Sequence, residues 1–381
     1  MRICLYTSTA LPTVGGQELV VDALARQFTS LGHEVVVLAP RPGRPWRLGD
    51  DRLPYPVVRH PRFLSMRRMV EWYGWWLLRL CRRQPFDVLH CHGLYPTGYL
   101  AARCRGRLGI PLVLTSHGED VYDGYPRLAE PRLHRRHVEA LAGTDVLVAI
   151  SRFTREGYLR LCPHARRIVD IPNGVDLGPF LARAARPADV EPAIREGRYV
   201  LFLGRLDHRK GVDLALRALA TLPSDGQVQL VIAGDGSQRA ALESLTKTLR
   251  LDGRVRFVGW ARGVTKAYLL QNARCLVVPS RQWEAFPLVV LESYAAGCPV
   301  IATELPGLCD LVHPGRTGWL VPPESPSDLA RALENVFDDR LDSERLRQET
   351  VELARQYAWD VIARRHLDLY GELIGTGRPS E

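Results

Sequence analysis

The chain has 381 residues, with 51 Lys or Arg against 42 Asp or Glu, a formal net charge of +9, and 46% apolar residues. That apolar share can bury a core, which excludes a disordered, collagenous or disulfide-stapled protein, and the length points to two domains. No apolar run reaches the roughly 20 residues that span a bilayer, and Met1–Tyr6 reads as a strand, not as the start of a signal segment, so a cytoplasmic location is expected.

In chain order, apolar strand-like runs alternate with helix-like stretches: strands at 2–6, 34–39, 88–90, 112–115, 146–150 and 167–171, with a helix over about 17–31 and a long loop over 40–63. The runs are continuously apolar, as when helices cover both faces of a parallel sheet. Residues 178–198, rich in Pro, Ala and charge, read as a linker. The alternation then restarts at 199–203, 228–233, 255–258, 275–278, 300–302 and 319–321, before a helical tail in which Trp359 stands near the start of the last helix. The expected fold is α/β: two doubly wound domains facing each other across a cleft lined by the carboxyl ends of their sheets, where ligands of such sheets bind.

Charge is uneven along this order. Residues 1–180 hold 25 Arg, no Lys and 16 acids, whereas residues 181–381 hold 26 basic and 26 acidic residues. The excess points either to an anionic partner of the first half, such as a membrane surface or an acidic acceptor, or to a generally Arg-rich solvated surface. Nucleic acid is not an expected partner. The eight cysteines are scattered with no C-x-x-C pair, as reduced, packed thiols would be. Metal-ligand spacing is absent and no metal is expected. The His90-Cys91-His92 cluster at a strand end serves either packing or substrate contact.

The loops at strand ends carry the chemistry. Gly15 and Gly16 follow Val14 and open a helix, either as a plain tight turn or as an anion site formed by free N–H groups and the helix dipole. The loop is not a G-x-G-x-x-G fingerprint, which weighs against a nicotinamide dehydrogenase. After the strand at 199–203, the Gly204 turn is followed by Arg205 and, five residues on, Lys210, a fork and a point charge suited to a diphosphate. The chain has only three lysines, at 210, 247 and 266, against 48 arginines, so Lys210 in such a loop stands out.

Gly234 in Ala233-Gly234-Asp235-Gly236 allows close backbone approach or is simple turn chemistry. Val258 ends a strand where its backbone can face a nucleobase. Glu284 precedes a helix entered through Pro287, and that helix aims the backbone N–H groups near Phe286 and Leu288 at an anion. Glu284 and Glu292 are either partners of the helix dipole or a solvated face, or they are ligand residues, in which case Glu284 is placed to accept bonds from sugar hydroxyls. Glu292, farther into an apolar helix, is placed to hold a vicinal diol such as a ribose, because burial without a partner would be costly. His117, in the loop Thr115–Asp120, either contacts the substrate or bonds to backbone.

Together these segments resemble the retaining nucleotide-sugar glycosyltransferases of family 4, which have the GT-B fold. The resemblance runs through GGQE at 15–18, SHGED at 116–120, PNGVD at 172–176, FLGRLDHRKGVD at 202–213, AGDG at 233–236, the glutamates 284 and 292, AGCPVIAT at 296–303 and GRTGWLVPP at 315–323. It implies an acceptor-binding domain at 1–178, with a C-terminal helix at 357–381 packing back on it, and a donor-binding domain at 190–356. It further implies that Gly16, Arg205 and Lys210 hold the donor diphosphate, Glu284 the sugar, Glu292 the ribose, and His117 the reacting centre. The co-substrate is then a UDP- or GDP-linked sugar with no cofactor or metal. The family's Glu-Gly-Phe-Gly is Glu284-Ala285-Phe286-Pro287 here, and Gly-Gly-x-Pro-Glu becomes Pro306-Gly307-Leu308-Cys309-Asp310.

At 100° per residue, a helix over 65–83 sets Met66, Met69, Val70, Tyr73, Trp76, Leu77 and Leu80 on one face. Trp72 and Trp75 fall elsewhere, among Arg68, Arg79, Arg82 and Arg83. Either this is an interfacial membrane contact bringing the enzyme to the inner face of a membrane, or loop 40–63 covers the two rings. The expected acceptor is a lipid-linked or cell-surface glycan precursor, with a soluble small molecule, or a nucleotide-sugar binding protein without turnover, as the alternatives.

Overall fold

A computed structural model describes residues 1–13, 15–42, 50–61, 66–223, 228–338 and 341–376, apart from the side chains of 66–71 and 376. Val14 and the side chains of Met66, Arg68, Met69 and Val70 therefore lie outside the described residues. The chain forms two compact units, residues 1–173 with 359–381, and residues 174–358.

The first unit holds strands β1 (Arg2–Thr7), β2 (Glu34–Pro40), β3 (Val57–His60), β4 (Val88–His92), β5 (Leu112–Thr115), β6 (Val146–Ala149) and β7 (Ile168–Asp170). Its helices are α1 (Gly16–Ser30), α2 (Met66–Arg83), α3 (Tyr99–Leu108), α4 (Pro131–Ala142) and α5 (Arg152–Leu161). The sheet order is β3-β2-β1-β4-β5-β6-β7, all parallel. Strands β4, β5 and β6 are buried throughout, which explains their unbroken apolar runs.

The edge strand β3 lies inside the stretch expected as loop 40–63. Its four residues are too short and too mixed for an apolar signature; pairing with β2, from Val37↔Val57 to Pro40↔His60, makes it a strand.

The second unit holds β8 (Tyr199–Leu203), β9 (Gln229–Ala233), β10 (Val255–Gly259), β11 (Cys275–Val278), β12 (Val300–Thr303) and β13 (Gly318–Val321) in the order β10-β9-β8-β11-β12-β13. Its helices are α6 (Val212–Thr221), α7 (Arg239–Thr248), α8 (Gly263–Asn272), α9 (Leu288–Ala295), α10 (Pro306–Cys309), α11 (Pro326–Phe337) and α12 (Ser343–Gln356). The stretch read as a linker has no strand but is packed here. Val190 and Ile194 are buried, Ala184 N–H donates to Gln271 at 2.7 Å, and Gln229 bonds residues 193 and 195.

The last helix, α13 (Trp359–Thr376), belongs to the first unit. It buries Ile362, Ala363, Leu369 and Tyr370, and the Tyr370 ring meets Phe28 of α1 edge-on at 5.8 Å. Burying a side chain such as Ile362 contributes about 1.5–3 kcal/mol. In both units the strand order reverses beside the first strand, between β1 and β4 and between β8 and β11. Loops leaving the carboxyl ends there diverge to opposite faces and leave room for a ligand.

Candidate active site

In the second unit, the loops after β8 and β11 converge. After Gly204 the chain forms a short turn, His208–Lys210, capped by the Asp207 side chain, which accepts from Lys210 N–H at 3.2 Å. Gly211 follows with φ +63°, and a Cβ there would stand 2.0 Å from the Pro279 carbonyl oxygen. Only glycine permits that approach, which fixes the Lys210 loop against the segment carrying Glu284.

Glu284 is 5% exposed. Its Oε1 accepts from Lys210 Nζ at 2.6 Å and Ser280 Oγ at 2.6 Å, and Arg209 Nη1 lies 3.6 Å away. Arg209 also donates to the Trp283 carbonyl at 3.0 Å and lies over the Trp283 ring at 4.9 Å. Buried carboxylates require such partners, and all of these converge on one oxygen.

Helix α9 begins at Leu288 with Pro287 as its N-cap. Phe286 is buried, and its ring lies 6.2 Å from that of Tyr357. Glu292, one turn in, accepts from Lys266 Nζ of α8 at 2.6 Å. Two of the chain's three lysines thus sit on the two glutamates singled out by sequence. An ammonium is a point donor, whereas a guanidinium fork would cap both carboxylate oxygens. In both pairs the ammonium engages Oε1.

Arg205 is exposed and has no side-chain partner among the described residues. Its loop is seated against the β9 turn, where Gly204 N–H donates to the Ala233 carbonyl at 3.0 Å and Leu206 N–H to Asp235 at 2.9 Å. The β10–β9 register shifts between Phe257 and Gly259, which places Val258 at an irregularity in the ladder.

In the first unit, Gly15 is the extended N-cap of α1, and a Cβ on Gly16 would meet nothing within 4 Å. The Glu18 carboxylate folds back on the same turn, 2.6 Å from a Cβ built on Gly15. His117 is half-buried, and its Nε2 lies 3.0 Å from His92 Nδ1. The loop is braced by Asp120, which accepts from the Ser116 hydroxyl and from Leu94 N–H at 2.5 Å. His90, stacked on His92 at 4.4 Å, bonds Tyr370 and Thr115. Helix α2 leaves Trp72 and Trp75 38% and 52% exposed, with Arg79 over Trp75 at 5.4 Å.

Sequence reasoning missed Lys266, Ser280 and Arg209 as partners of the acids, and Asp120 as the brace of the His117 loop. Only the scarcity of lysine pointed toward Lys266. Among the described residues, no group of three or more His, Cys, Asp or Glu is arranged to hold a metal ion, and no helix is long and apolar enough to cross a membrane.

Burial holds His90 and His92 well below the usual imidazole range and pushes His117 and His366 down to about 4. The unfolded chain therefore binds more protons than the folded one between pH 6.5 and about 4. Stability present above pH 6.5 is lost as pH falls, at about 1.4 kcal/mol per pH unit for each such histidine. The urea midpoint should drop clearly between pH 7.5 and pH 5; an unchanged midpoint would contradict the buried neutral state.

Two doubly wound domains with these basic and acidic loops at the second switch point define a nucleotide-sugar-dependent glycosyltransferase of the GT-B fold. Residues 14–178 match the family described as Glycosyltransferase Family 4, and residues 188–356 match Glycosyl transferases group 1. The chain is 30% identical to the phosphatidyl-myo-inositol mannosyltransferase of Mycolicibacterium smegmatis over 99% of its own length and 95% of the relative's. It is 31% identical to the D-inositol 3-phosphate glycosyltransferase of a Nocardioides species, over 77% and 69% respectively. Sucrose-phosphate synthase from Thermosynechococcus elongatus superposes with a TM-score of 0.81 at 25% identity, covering 98% of this chain and 99% of that one. The chain belongs to this glycosyltransferase family.

Proposed function

We propose that the chain is a retaining, metal-independent hexosyltransferase, which moves a sugar from UDP or GDP to a hydroxyl of a lipid-linked or cell-surface glycan precursor. The observation that carries the donor side is the pair of lysine-held glutamates in the second unit. Arg205, Lys210 and the N–H groups around Phe286 and Leu288 take the diphosphate, with Gly15, Gly16, Gly204 and Gly234 allowing close approach. Glu284 takes the sugar hydroxyls, Glu292 the ribose diol, and the Val258 backbone the base. The bond from the anomeric carbon to phosphate breaks and a bond to the acceptor oxygen forms on the same face. The acceptor proton passes to the departing phosphate, whose charge the arginine, lysine and helix N-terminus stabilise in place of a metal. His117 serves the reacting sugar.

The acceptor side rests on the first unit, to which the chain's net positive charge belongs by sequence count. Two relatives are named for acceptors that carry an inositol phosphate, one of them a lipid, which supports an anionic acceptor. Exposed Trp72 and Trp75 beside Arg79 support contact with the inner face of an anionic membrane. The chain should therefore sediment with vesicles containing anionic phospholipid, less so at high salt, and Trp72→Ser with Trp75→Ser should reduce the bound fraction several-fold. Absence from the vesicle pellet would favour a soluble acceptor.

The reading as a whole is tested by offering radiolabelled UDP- and GDP-hexoses with phospholipid and glycan acceptors. Labelled product with the donor's anomeric configuration is expected. Donor binding with no transfer to any acceptor would favour a binding protein.

A further inference from the structure

Behind His117 stand three buried histidines in a stack. His92 lies against His117 with ring centroids 5.3 Å apart and planes 19° from parallel. His90 follows at 4.4 Å and 29°, and His366 of α13 stacks on His90 at 5.6 Å and 29°. The outer members are anchored. His90 Nδ1 is 2.6 Å from the Tyr370 hydroxyl, its Nε2 is 2.8 Å from Thr115 Oγ1, and His366 Nδ1 is 3.0 Å from the Ile362 carbonyl oxygen. His92 is held through its backbone carbonyl, which accepts from Thr97 Oγ1 at 3.0 Å and Gln17 Nε2 at 3.4 Å. Its ring nitrogen Nδ1 faces His117 Nε2 at 3.0 Å, and its Nε2 is buried with no partner among the described residues.

A single proton lies between two neutral rings, so only two arrangements exist. If His117 Nε2–H donated, His92 would carry its own proton on Nε2, as a buried N–H with nothing to receive it. If His92 Nδ1–H donates, His92 Nε2 is a bare lone pair. An orphaned N–H is the rarer arrangement in folded proteins. The second arrangement leaves the His117 proton on Nδ1, the nitrogen that has no partner among the described residues.

We infer that His92 is a positioning residue: by donating from Nδ1 to His117 Nε2 it fixes His117 as the Nδ1–H tautomer, which meets the substrate as a neutral hydrogen-bond donor and not as a base. The natural counterpart is an oxygen of the donor sugar. The inference rests on the reading of His117 as the residue at the reacting sugar. It gives the buried stack a task, since His90 and His366, tied to Tyr370 and α13, hold the His92 ring flat against its neighbour.

The test combines kinetics with the wild-type ring itself. His92→Asn keeps an amide N–H near the place of Nδ1 and should retain kcat within about 3-fold. His92→Leu should lower kcat about 10- to 100-fold with the donor KM within about 2-fold, a split that loosened packing alone would not give. In the unmodified chain, 15N NMR of labelled histidines, with His117 assigned by its loss in His117→Asn, should show protonation at Nδ1. A His117 proton on Nε2 would overturn the inference, as would unchanged kcat in His92→Leu where His117→Ala is inactive. Full activity in His117→Ala would overturn the reading of His117 itself, and the role of His92 with it.

Discussion

Lys210→Met and Glu284→Gln are each expected to lower transfer at least ~100-fold, the scale on which loss of one preorganised charged or hydrogen-bonding group acts at a reacting centre. Their effects on stability should differ. Lys210→Met leaves Glu284 buried with Ser280 at 2.6 Å and only a distant arginine contact at 3.6 Å. An uncompensated buried carboxylate costs about 3 kcal/mol or more. Glu284→Gln removes the charge together with the need for it, so the pair of substitutions should be less destabilising than Lys210→Met alone. Activity should not return with stability, because neither the hydroxyl acceptor nor the cation is restored. Urea melts and initial rates on the two single variants and the double variant check both halves. Wild-type rates in either single variant would remove the pair from the mechanism.

Gly234→Ala is expected to destabilise the second unit by about 3–5 kcal/mol and to abolish transfer. A Cβ at 234 would stand 1.8 Å from the Gly204 carbonyl oxygen, at a φ of +154°. The obstacle is backbone, and the left-handed conformation is itself strained for any L side chain. Relief requires the Gly204 turn to move, and Arg205 with it. Gly16→Ala is the contrasting case. A Cβ there meets open space, and at a helix position alanine is favoured over glycine by up to about 1 kcal/mol. The variant should melt no lower than the parent. A loss of activity in it would therefore report a ligand approaching the start of α1. Thermal melts and a transfer assay on both variants decide this, and a stable, active Gly234→Ala chain would contradict the packing described.

The strands flanking the switch points, such as β4 and β8, are buried on both sides, and their unbroken apolar runs announce it. The loops bearing Gly204, Lys210 and Glu284 could be read because charge and glycine interrupt those runs at the strand ends, and Glu292 because it is the one acid in an apolar helix. Strand β3 could not, since four residues at a sheet edge depend on the pairing that β2 provides. Residues 178–198 read as a linker because their composition is polar, yet Ile194 and Val190 anchor them in the second unit.

What bridges the elements was hidden for a different reason. Lys210 and Glu284 stand 74 residues apart, and Lys266 and Glu292 stand 26 apart, on separate helices and loops. No periodicity within one segment encodes such a distance. The histidine stack lies between these cases. His90 and His92 alternate in β4 and so share a face, and this much is visible in the sequence. His117, just beyond the neighbouring strand β5, and His366 on α13 join them only through the fold.

The second unit is expected to grip a nucleoside diphosphate sugar through Arg205, Lys210 and the two lysine-held glutamates. Calorimetric titration of UDP- and GDP-linked hexoses into the full chain tests it most directly. One of these donors should bind saturably, with affinity at least 10-fold weaker in Glu292→Gln and in Arg205→Ala. Equal affinity in all three chains, or no binding of any nucleotide sugar by the parent, would contradict it.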